Sequence, residues 1–511
     1  MQVTLCGSLF IGSILFPQDP SSTQPQDLAA ALLAGPRSDH SSSLDLTLDT
    51  AVELALRSNL GLRKAVLEER AASFDHLGSW GSFDWDMTTL LSYGESESPP
   101  SNSFDSELGL TSIDSNMGVA NMSLNRPLST GGSFSLDFNT TSQVTNSGFA
   151  VGDEFNRSAL GVTYVQPLLR GAWEDYATAT QRERRLDWVT ASESRRGERH
   201  ALIESVHNAY WDLVAAREQW RVAASSLRLG LELVDKRNRE WQAGVGTEVE
   251  VLQAEAETAT RIEALLLAEK DLDSRADELK LILLDEGEHA LWDRTLMPTT
   301  GLPETVSSEG VGDWADAFVT AIDLRSDLRQ QRIAVERVHI SMIRARSERL
   351  SGLDLELQAN SDGQSESTSD SIDDTLAWDF PGWSAKLTWN MPIGNTTATR
   401  AAQAAETRMK IANLEYDRLE MSVLAEVRAA VRDLLYRTEA VRAAVSSLTL
   451  DRRQFEAEQL RYDEGLSTNY QVLEFQRDFV EARRNELQSR VEYVKAQARL
   501  LAVQGALDGD N

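Results

Sequence analysis

The chain contains the same order of motifs twice. A helical motif, V-x-x-A-x-x-D-L, starts at Val206 and again at Val427, and a turn motif, G-x-x-T, starts at Gly244 and again at Gly465. The offset between the two copies is the same for both motifs, so no gap separates them. Self-similarity of this kind indicates a tandem architecture. The duplication predicts that each half folds as a helix, a strand-rich segment, a long helix, a turn and a further helix.

The duplication divides the 511 residues into five predicted segments. They are a signal-like and flexible leader (1–43), a first structural repeat (44–285), a linker with two prolines (286–312), a second structural repeat (313–506) and a C-terminal tail (507–511). The leader has an apolar stretch from Val3 to Phe16 that resembles the core of a secretory signal peptide. We therefore expect the chain to be exported, and a disordered cytosolic tail is the alternative.

Charge and cysteine content exclude several classes of protein. Asp and Glu number 80 against 50 Lys and Arg, which gives a formal net charge of −30. Such a chain repels phosphate backbones, so nucleic acid is not an expected partner. The single cysteine, Cys6, excludes an intramolecular disulfide framework.

Catalytic and metal-binding motifs are not found either. His200 and His207 share a predicted helical face with Glu204, but a solvated helix face is the favoured interpretation over a metal site. The sequence has no nucleophile elbow and no phosphate-binding loop. We therefore expect neither enzyme activity nor a cofactor nor a metal.

Two very long helices are the next prediction. A helical pattern without proline runs from about 172 to 242, roughly 105 Å at 1.5 Å per residue. The flanking helices predicted at 48–78 and 247–285 would match it when stacked end to end, and the second repeat has the corresponding segments 396–463, 313–350 and 468–502. Apolar positions along the first long helix alternate spacings of four and three, as in a coiled coil: Leu202, Val206, Ala209, Leu213, Ala216, Trp220, Ala223 and Leu227. These helices alone are also typical of a soluble, tethering coiled coil.

Four segments alternate apolar and polar residues with period two, which predicts strands with one apolar and one polar face: 83–93, 160–166, 353–360 and 383–390. A lipid-facing outside and a water-filled inside would satisfy both faces, while an amphipathic sheet over a soluble core is the alternative. A further amphipathic hairpin, 119–128 and 133–139, lengthens the first insertion. Four strands cannot close a barrel alone, so a barrel would have to be shared between chains.

With these motifs in place, the chain resembles the TolC-like outer-membrane efflux proteins, also called outer membrane factors. The resemblance covers nearly all of 48–505 and includes both A-x-x-x-A helix starts at Ala51 and Ala317, the strand ends 165–171 and 391–394, and both G-x-x-T turns. It implies a mainly α fold with β structure, in which duplicated long helical hairpins form an α-barrel tunnel. It also implies a homotrimer in outer-membrane lipid, with four membrane strands per chain in a 12-stranded β-barrel and with helices that extend into the periplasm.

The resemblance also implies a function. The family acts as the outer-membrane channel of a tripartite efflux or type I secretion system. It is a passive exit duct for solutes that an inner-membrane RND or ABC transporter delivers through a periplasmic adaptor, the membrane fusion protein. A non-channel coiled-coil structural protein of the cell envelope is the alternative function.

The candidate functional residues lie at and after the two G-x-x-T turns. Gly244 and Gly465 suit the positive φ that ends a helix, and Thr247 and Thr468 suit the N-cap of the next helix. These four positions can be helix-hairpin turns and nothing more, but the resemblance implies that they also contact the adaptor.

Residues just beyond the turns are implied to close the periplasmic entrance. By resemblance, Glu250, Gln253, Gln471 and Glu474 constrict the entrance, and Tyr462 holds it closed by bonding Glu250. The alternative for the two acids is an ordinary exposed position on a helix. Ser467 stands where the best-known members often have an arginine, so the resemblance does not extend to the closing link that this arginine makes.

Overall fold

A computed structural model gives the fold for residues 29, 31–36, 43–100, 107, 109–147, 154–283, 292–306 and 313–507. The predicted signal-like stretch from Val3 to Phe16 lies outside these residues, as does the tail beyond 507. No helix within the described ranges has the length and apolar character that a membrane-spanning helix needs.

The two repeats have the predicted order of elements. In chain order the first repeat contains β1 (Ser43–Leu46), α1 (Leu48–Ser58), α2 (Leu60–Ser79), β2 (Asp86–Ser98), β3 (Ile113–Pro127), β4 (Ser133–Thr145), β5 (Glu154–Pro167), α3 (Glu174–Ala177), α4 (Ala179–Gln242) and α5 (Glu248–Leu283). After β6 (Thr295–Pro298), the second repeat contains α6 (Trp314–Leu324), α7 (Ser326–Glu348), β7 (Gly352–Ser365), α8 (Thr368–Ala377), β8 (Pro381–Asn390), α9 (Thr396–Asp463) and α10 (Asn469–Gln504). The prediction of a mainly α fold with β structure is therefore confirmed.

The first helix of each repeat is interrupted where the sequence predicts a continuous helix. Asn59 separates α1 from α2 with φ −63° and ψ 124°, and its side chain accepts a hydrogen bond from the Leu62 amide at 3.1 Å. Arg325 separates α6 from α7 with φ −66° and ψ 127°. Both breaks follow an 11-residue helix, so the interruption is part of the duplicated fold.

One antiparallel sheet of six strands, in the order β2-β3-β4-β5-β7-β8, contains the strands of both repeats. The prediction of four strands per chain is wrong, because the hairpin interpreted as a longer insertion supplies β3 and β4 inside the sheet. These strands contain 15 and 13 residues, and they pair with β2 and β5 along nearly their whole length. The strand order joins the two repeats through the pairing of β5 with β7.

The six strands keep one apolar and one polar face, because directly paired residues of antiparallel strands lie on the same side. The apolar face contains Met87, Leu91, Met122, Leu124, Leu136, Phe138, Leu160, Val162, Leu355, Leu357, Trp383 and Leu387. The polar face contains Asp86, Thr88, Ser123, Asn125, Ser135, Asp137, Thr163, Asp354, Glu356, Gln358, Ser384 and Lys386. The alternation predicted for four segments thus extends to β3 and β4, with Leu90, Val119 and Val165 as apolar exceptions on the polar face.

The helix α8 packs on the apolar side of the sheet at the end where small polar residues replace the large apolar ones. Its Ser371 side chain lies 2.7 Å from the Ser158 hydroxyl, and both residues are buried. A Cβ on Gly363 of β7 would stand 2.1 Å from the Ser371 carbonyl oxygen, so only glycine allows this approach.

Two compact units draw on both repeats. One unit contains residues 1–62, 199–324 and 425–511, and the other contains 63–198 and 325–424. The first unit holds the main apolar core, in which the predicted heptad positions Val206, Leu213 and Ala216 are buried together with Leu434 of α9. The second unit holds the six-stranded sheet and the helical segments on either side of it in the sequence.

The predicted linker also contributes to the first unit. Its strand β6 pairs in parallel with β1, a contact that sequence patterns did not predict. The Tyr210 hydroxyl donates to the Leu46 carbonyl at 3.0 Å and accepts from the Thr300 amide at 3.0 Å. A fully buried tyrosine thus fixes the linker against the start of the first repeat.

Candidate functional site

Both interhelical turns lie in the first compact unit and have the predicted geometry. Gly244 has φ +76° and Gly465 has φ +75°, values that residues with a Cβ rarely adopt. After each glycine the chain closes back on the helix, with Val245 donating to the Glu240 carbonyl at 3.0 Å and Leu466 donating to the Arg461 carbonyl at 2.8 Å. These bonds satisfy the last carbonyls of α4 and α9.

A capping box begins α10. The Thr468 side chain accepts a hydrogen bond from the Gln471 amide, and the Gln471 side chain accepts one from the Thr468 amide at 3.3 Å. At the first turn Glu250 likewise accepts a hydrogen bond from the Thr247 amide at 3.0 Å. The side chains of Glu250 and Gln471 are therefore engaged at helix N-termini, where the backbone amides favour an acceptor.

The other predicted constriction residues are exposed in the single chain. Gln253 lies one turn beyond Glu250 on α5, and Glu474 lies one turn beyond Gln471 on α10. Apolar side chains are exposed at the turns as well: Val245, Val249, Leu252, Leu466 and Tyr470 are each more than half accessible. Clustered exposed apolar residues of this kind are typical of a surface that contacts a partner.

Tyr462 contacts two cations of the first repeat. Its ring centroid lies 5.1 Å from Lys236 Nζ and 5.0 Å from Arg237 Cζ, so cation–π attraction connects α9 to α4. Among the described hydrogen bonds, none joins Tyr462 to Glu250, whose carboxylate caps Thr247. The gating contact between Tyr462 and Glu250 stays a prediction.

A polar cluster between α5 and α10 was not predicted from the sequence. Glu257 forms a two-point ion pair with Arg477, and Arg261 donates to the Gln476 side chain at 2.9 Å. Arg261 is buried, with 8% of its side chain exposed, and it also donates to the Ser226 carbonyl at 2.8 Å. We refer to Glu257, Arg261, Gln476 and Arg477 as the α5–α10 cluster.

The electrostatics of the cluster favour the ion pair. The hydrogen bond from Arg477 holds the pKa of Glu257 below its ordinary value, and the nearby guanidinium of Arg261 lowers it further. Burial lowers the pKa of Arg261, and Glu257 opposes that effect. One sequence signal could have indicated this site, because Arg261 is the first cation along the acidic start of α5. Its partner Gln476 on α10 is 215 positions away, so no local pattern identifies it.

The histidine pair on α4 belongs to the helix packing. Burial lowers the pKa of His207, and Arg499 donates to the Glu204 carboxylate at 2.8 Å. No group of three or more His, Cys, Asp or Glu side chains in the described part of the chain is placed to hold a metal ion.

Comparisons with known proteins agree with the geometry. Residues 318–506 match the family model of the outer membrane efflux proteins. The fold is similar to the outer-membrane channel OprN (TM-score 0.64, 17% identity, 93% of this chain and 95% of that chain). It is also similar to the Campylobacter jejuni CmeC outer membrane channel (TM-score 0.63, 16% identity, 93% of this chain and 90% of that chain). A third similar structure is the open state of the Neisseria gonorrhoeae MtrE outer membrane channel (TM-score 0.61, 15% identity, 93% of this chain and 94% of that chain). No curated protein matches the chain in sequence.

The resemblance inferred from the motifs is thereby confirmed. More than a third of the chain matches the outer membrane efflux protein model, and nearly all of it shares the fold of outer-membrane channels at low sequence identity. The predicted location in the outer membrane agrees with the family model, and the proteins that share the fold are channels rather than enzymes.

Proposed function

We propose that this chain, which carries the outer membrane efflux protein domain over residues 318–506, is the outer-membrane exit duct of a tripartite efflux or type I secretion system. Three copies would share one barrel, and solute would leave passively through their common lumen. An inner-membrane RND or ABC transporter would supply the energy, and a periplasmic adaptor would connect the two. No catalytic step is required of this chain.

The amphipathic sheet carries the proposal. Large apolar side chains are exposed on one face, with Leu91 75%, Trp383 82% and Leu387 63% accessible. Leaving such a face in water is unfavourable by about 25 cal/mol per Å² of apolar surface. Lipid removes that cost, and the opposite face, with charges such as Glu356 and Lys386, suits a water-filled lumen. A structural coiled-coil protein has no use for this pair of faces.

The unpaired edges of the sheet support a shared barrel. β2 and β8 are its outermost strands, and nearly all of their residues are exposed. Unpaired backbone groups cost several kcal/mol each in hydrocarbon, so the edges need partner strands. The matching edge of a second copy provides them, and a ring of copies leaves no edge open.

The two turns fit the end that receives solute. Gly244 and Gly465 shape two tight turns, each with exposed apolar side chains beside it, which suits contact of both turns with the adaptor. Thr247 and Thr468 begin the helices that follow. Glu250 and Glu474 follow on α5 and α10, so a ring of copies would repeat each acid around one axis. Such rings concentrate negative potential and favour cations.

Crosslinking of the sheet edges tests the proposal. In a Cys6→Ser background, Ser92→Cys on β2 and Ser384→Cys on β8 place one thiol on each edge, both on the polar face. A short bis-maleimide should link copies into covalent trimers in the membrane. The matched control, Gln358→Cys with Ser384→Cys, joins directly paired residues of one chain and should give monomers only.

The crosslinking result has a clear counter-outcome. If the control pair reacts while Ser384→Cys gives no product between chains with Ser92→Cys or with any other polar-face cysteine along β2, the copies do not share a barrel. A planar-bilayer recording of the purified protein then decides whether it forms a pore at all.

A further inference from the structure

We infer that each copy contributes six strands, so that the proposed trimer closes a barrel of eighteen strands, with a wider exit than twelve strands would give. The inference rests on the proposed function, and it concerns the width of the outer segment. The hairpin β3–β4 determines the number of strands, because without it each copy would supply four strands.

The hairpin turn is fixed to the chain that follows the sheet. The Gln166 side chain donates to the Thr130 carbonyl at 3.1 Å, and the Thr130 hydroxyl donates to the Gln166 side chain at 3.0 Å. The Trp173 amide also donates to the Thr130 carbonyl at 3.0 Å. These bonds tie the turn to the end of β5 and to the start of the following helices. A hairpin that was only part of a flexible loop would have no such contacts with β5.

Close approach of backbone atoms at the turn also indicates that the hairpin belongs to the sheet. A Cβ on Gly131 would stand 2.4 Å from the Gly171 carbonyl oxygen, and a Cβ on Gly132 would stand 2.6 Å from the Val165 carbonyl oxygen. Gly131 also has φ +87°. Only glycine fits both positions, so the sequence is matched to a turn that lies against β5.

The faces of the hairpin match those of its neighbours. Met122 and Leu124 of β3 and Phe138 of β4 continue the apolar face from β2 to β5. On the other side the Ser123 hydroxyl donates to the Asp137 carboxylate at 2.6 Å, which continues the polar face. A hairpin folded into the lumen would place its apolar face in water, and a hairpin outside the barrel would place Asp137 in lipid.

The even number of strands per copy allows the sheets of neighbouring copies to pair and close. Each neighbouring pair from β2 to β8 is antiparallel, so the first and last of the six strands run in opposite directions. The β8 edge of one copy can therefore pair with the β2 edge of the next in the antiparallel manner of the rest. Six strands from each of three copies give eighteen.

The strand count sets the width. With strands about 4.8 Å apart and tilted by about 40°, eighteen strands enclose a backbone diameter of about 36 Å, against about 24 Å for twelve. Side chains that extend about 5 Å inward from each wall leave an open diameter of roughly 26 Å for eighteen strands and 14 Å for twelve. The exit would then not limit solutes of drug size, and selection by size would fall to the helical entrance.

Electron cryo-microscopy of the detergent-solubilised full chain tests the inference by counting strands in cross-section. We expect a trimer with eighteen strands in the wall and with β3 and β4 between β2 and β5. A trimer with twelve strands and a displaced hairpin would overturn the inference and leave the proposed duct intact. A particle that is not a trimer would overturn both.

A solution measurement distinguishes the same outcomes in the membrane. In a Cys6→Ser background, Ser123→Cys with Asp137→Cys should form an intrachain disulfide, because these residues pair directly across β3 and β4. Thr88→Cys with Ser123→Cys pairs β2 with β3 and should be joined by a short bis-maleimide, which tolerates the different Cα spacings of hydrogen-bonded and non-hydrogen-bonded pairs. Reaction of the first pair without the second would show that the hairpin has left the wall, and the eighteen-strand barrel would be refuted.

Discussion

Loss of the Arg477 guanidinium should open the entrance. Arg477 on α10 forms a two-point ion pair with Glu257 on α5, and the two residues lie nine and ten positions beyond the turn threonines. They connect the second helix of one hairpin to the second helix of the other. Widening an entrance formed by these helices must separate them, so the ion pair opposes opening.

The magnitude follows from exposure and copy number. Glu257 is 16% exposed but Arg477 is 61% exposed, so solvent screens the pair and its coupling is about 1 kcal/mol per chain. When three copies open together, the closed state loses a total coupling energy of about 3 kcal/mol. Since 1.4 kcal/mol corresponds to a factor of about ten, Arg477→Gln should raise the population of the open state by roughly a hundredfold.

Single-channel recording in planar bilayers measures this change as open probability and conductance. The matched control is Arg452→Gln, which removes an ion pair with Glu456 that lies within α9 and is exposed on both sides. The control should leave gating unchanged. If Arg477→Gln behaves like the control, the ion pair does not hold the entrance closed, and Arg261 with Gln476 would be the next contact to test.

The same ion pair predicts a pH dependence. The pKa of Glu257 is lowered, chiefly by the hydrogen bond from Arg477. A carboxylate with a depressed pKa in the folded state contributes stability that is present above its unfolded pKa and is lost as the pH falls through the lowered value. The contact should therefore persist from pH 8 to pH 5 and weaken only in acid below about 4.5. Acid opening that is already complete at pH 6 would contradict this assignment.

Three further predictions concern the wall, the ring of acids and the turns. Leu355→Arg puts a charge on the apolar face near the start of β7, so it should cost less than the about 2–4 kcal/mol of the bilayer midplane but still lower the yield of heat-resistant trimer on gels. Glu356→Arg faces the lumen and should assemble, and equal yields for the two variants would reverse the faces. The double variant Glu250→Gln with Glu474→Gln should lower cation selectivity and relieve block by trivalent cations, while the glutamine at 250 can still cap the helix. If the reversal potentials stay at wild-type values, these two acids do not form the ring that selects cations. Thr468→Ala should destabilise the turn by about 1 kcal/mol, seen as faster hydrogen exchange there, and unchanged exchange would mean that the cap contributes nothing.

The sequence predicted the helices and turns because their signals are local. The second long helix was expected at 396–463 and is found at Thr396–Asp463, and the two turn glycines have the positive φ that their position demanded. Burial of the heptad positions follows from the same periodicity. Local patterns sufficed wherever the partner residues are a few positions away.

Contacts between distant segments were not predictable in this way. The hairpin was recognised, but nothing in its alternation showed that it would insert between β2 and β5. The glycines at 131 and 132 lie between the two predicted strands of this hairpin, but only the folded structure shows their close approach to Gly171 and Val165. The ion pair of Glu257 and Arg477 spans 220 positions.

The pairing of β5 with β7 has a consequence for how the chain reaches its fold. Between these two paired strands lies the whole segment 168–351, which includes both helices of the first helical hairpin. For a flexible chain, closing a loop of that length costs about 3 kcal/mol more than closing the short turn at 128–132. Hairpin formation should therefore be early and the β5–β7 ladder late and slow. Until β7 has paired, β5 is an unpaired edge strand that can pair with a strand of another unfolded copy. Strand exchange between chains is therefore the misfolding route that this topology favours.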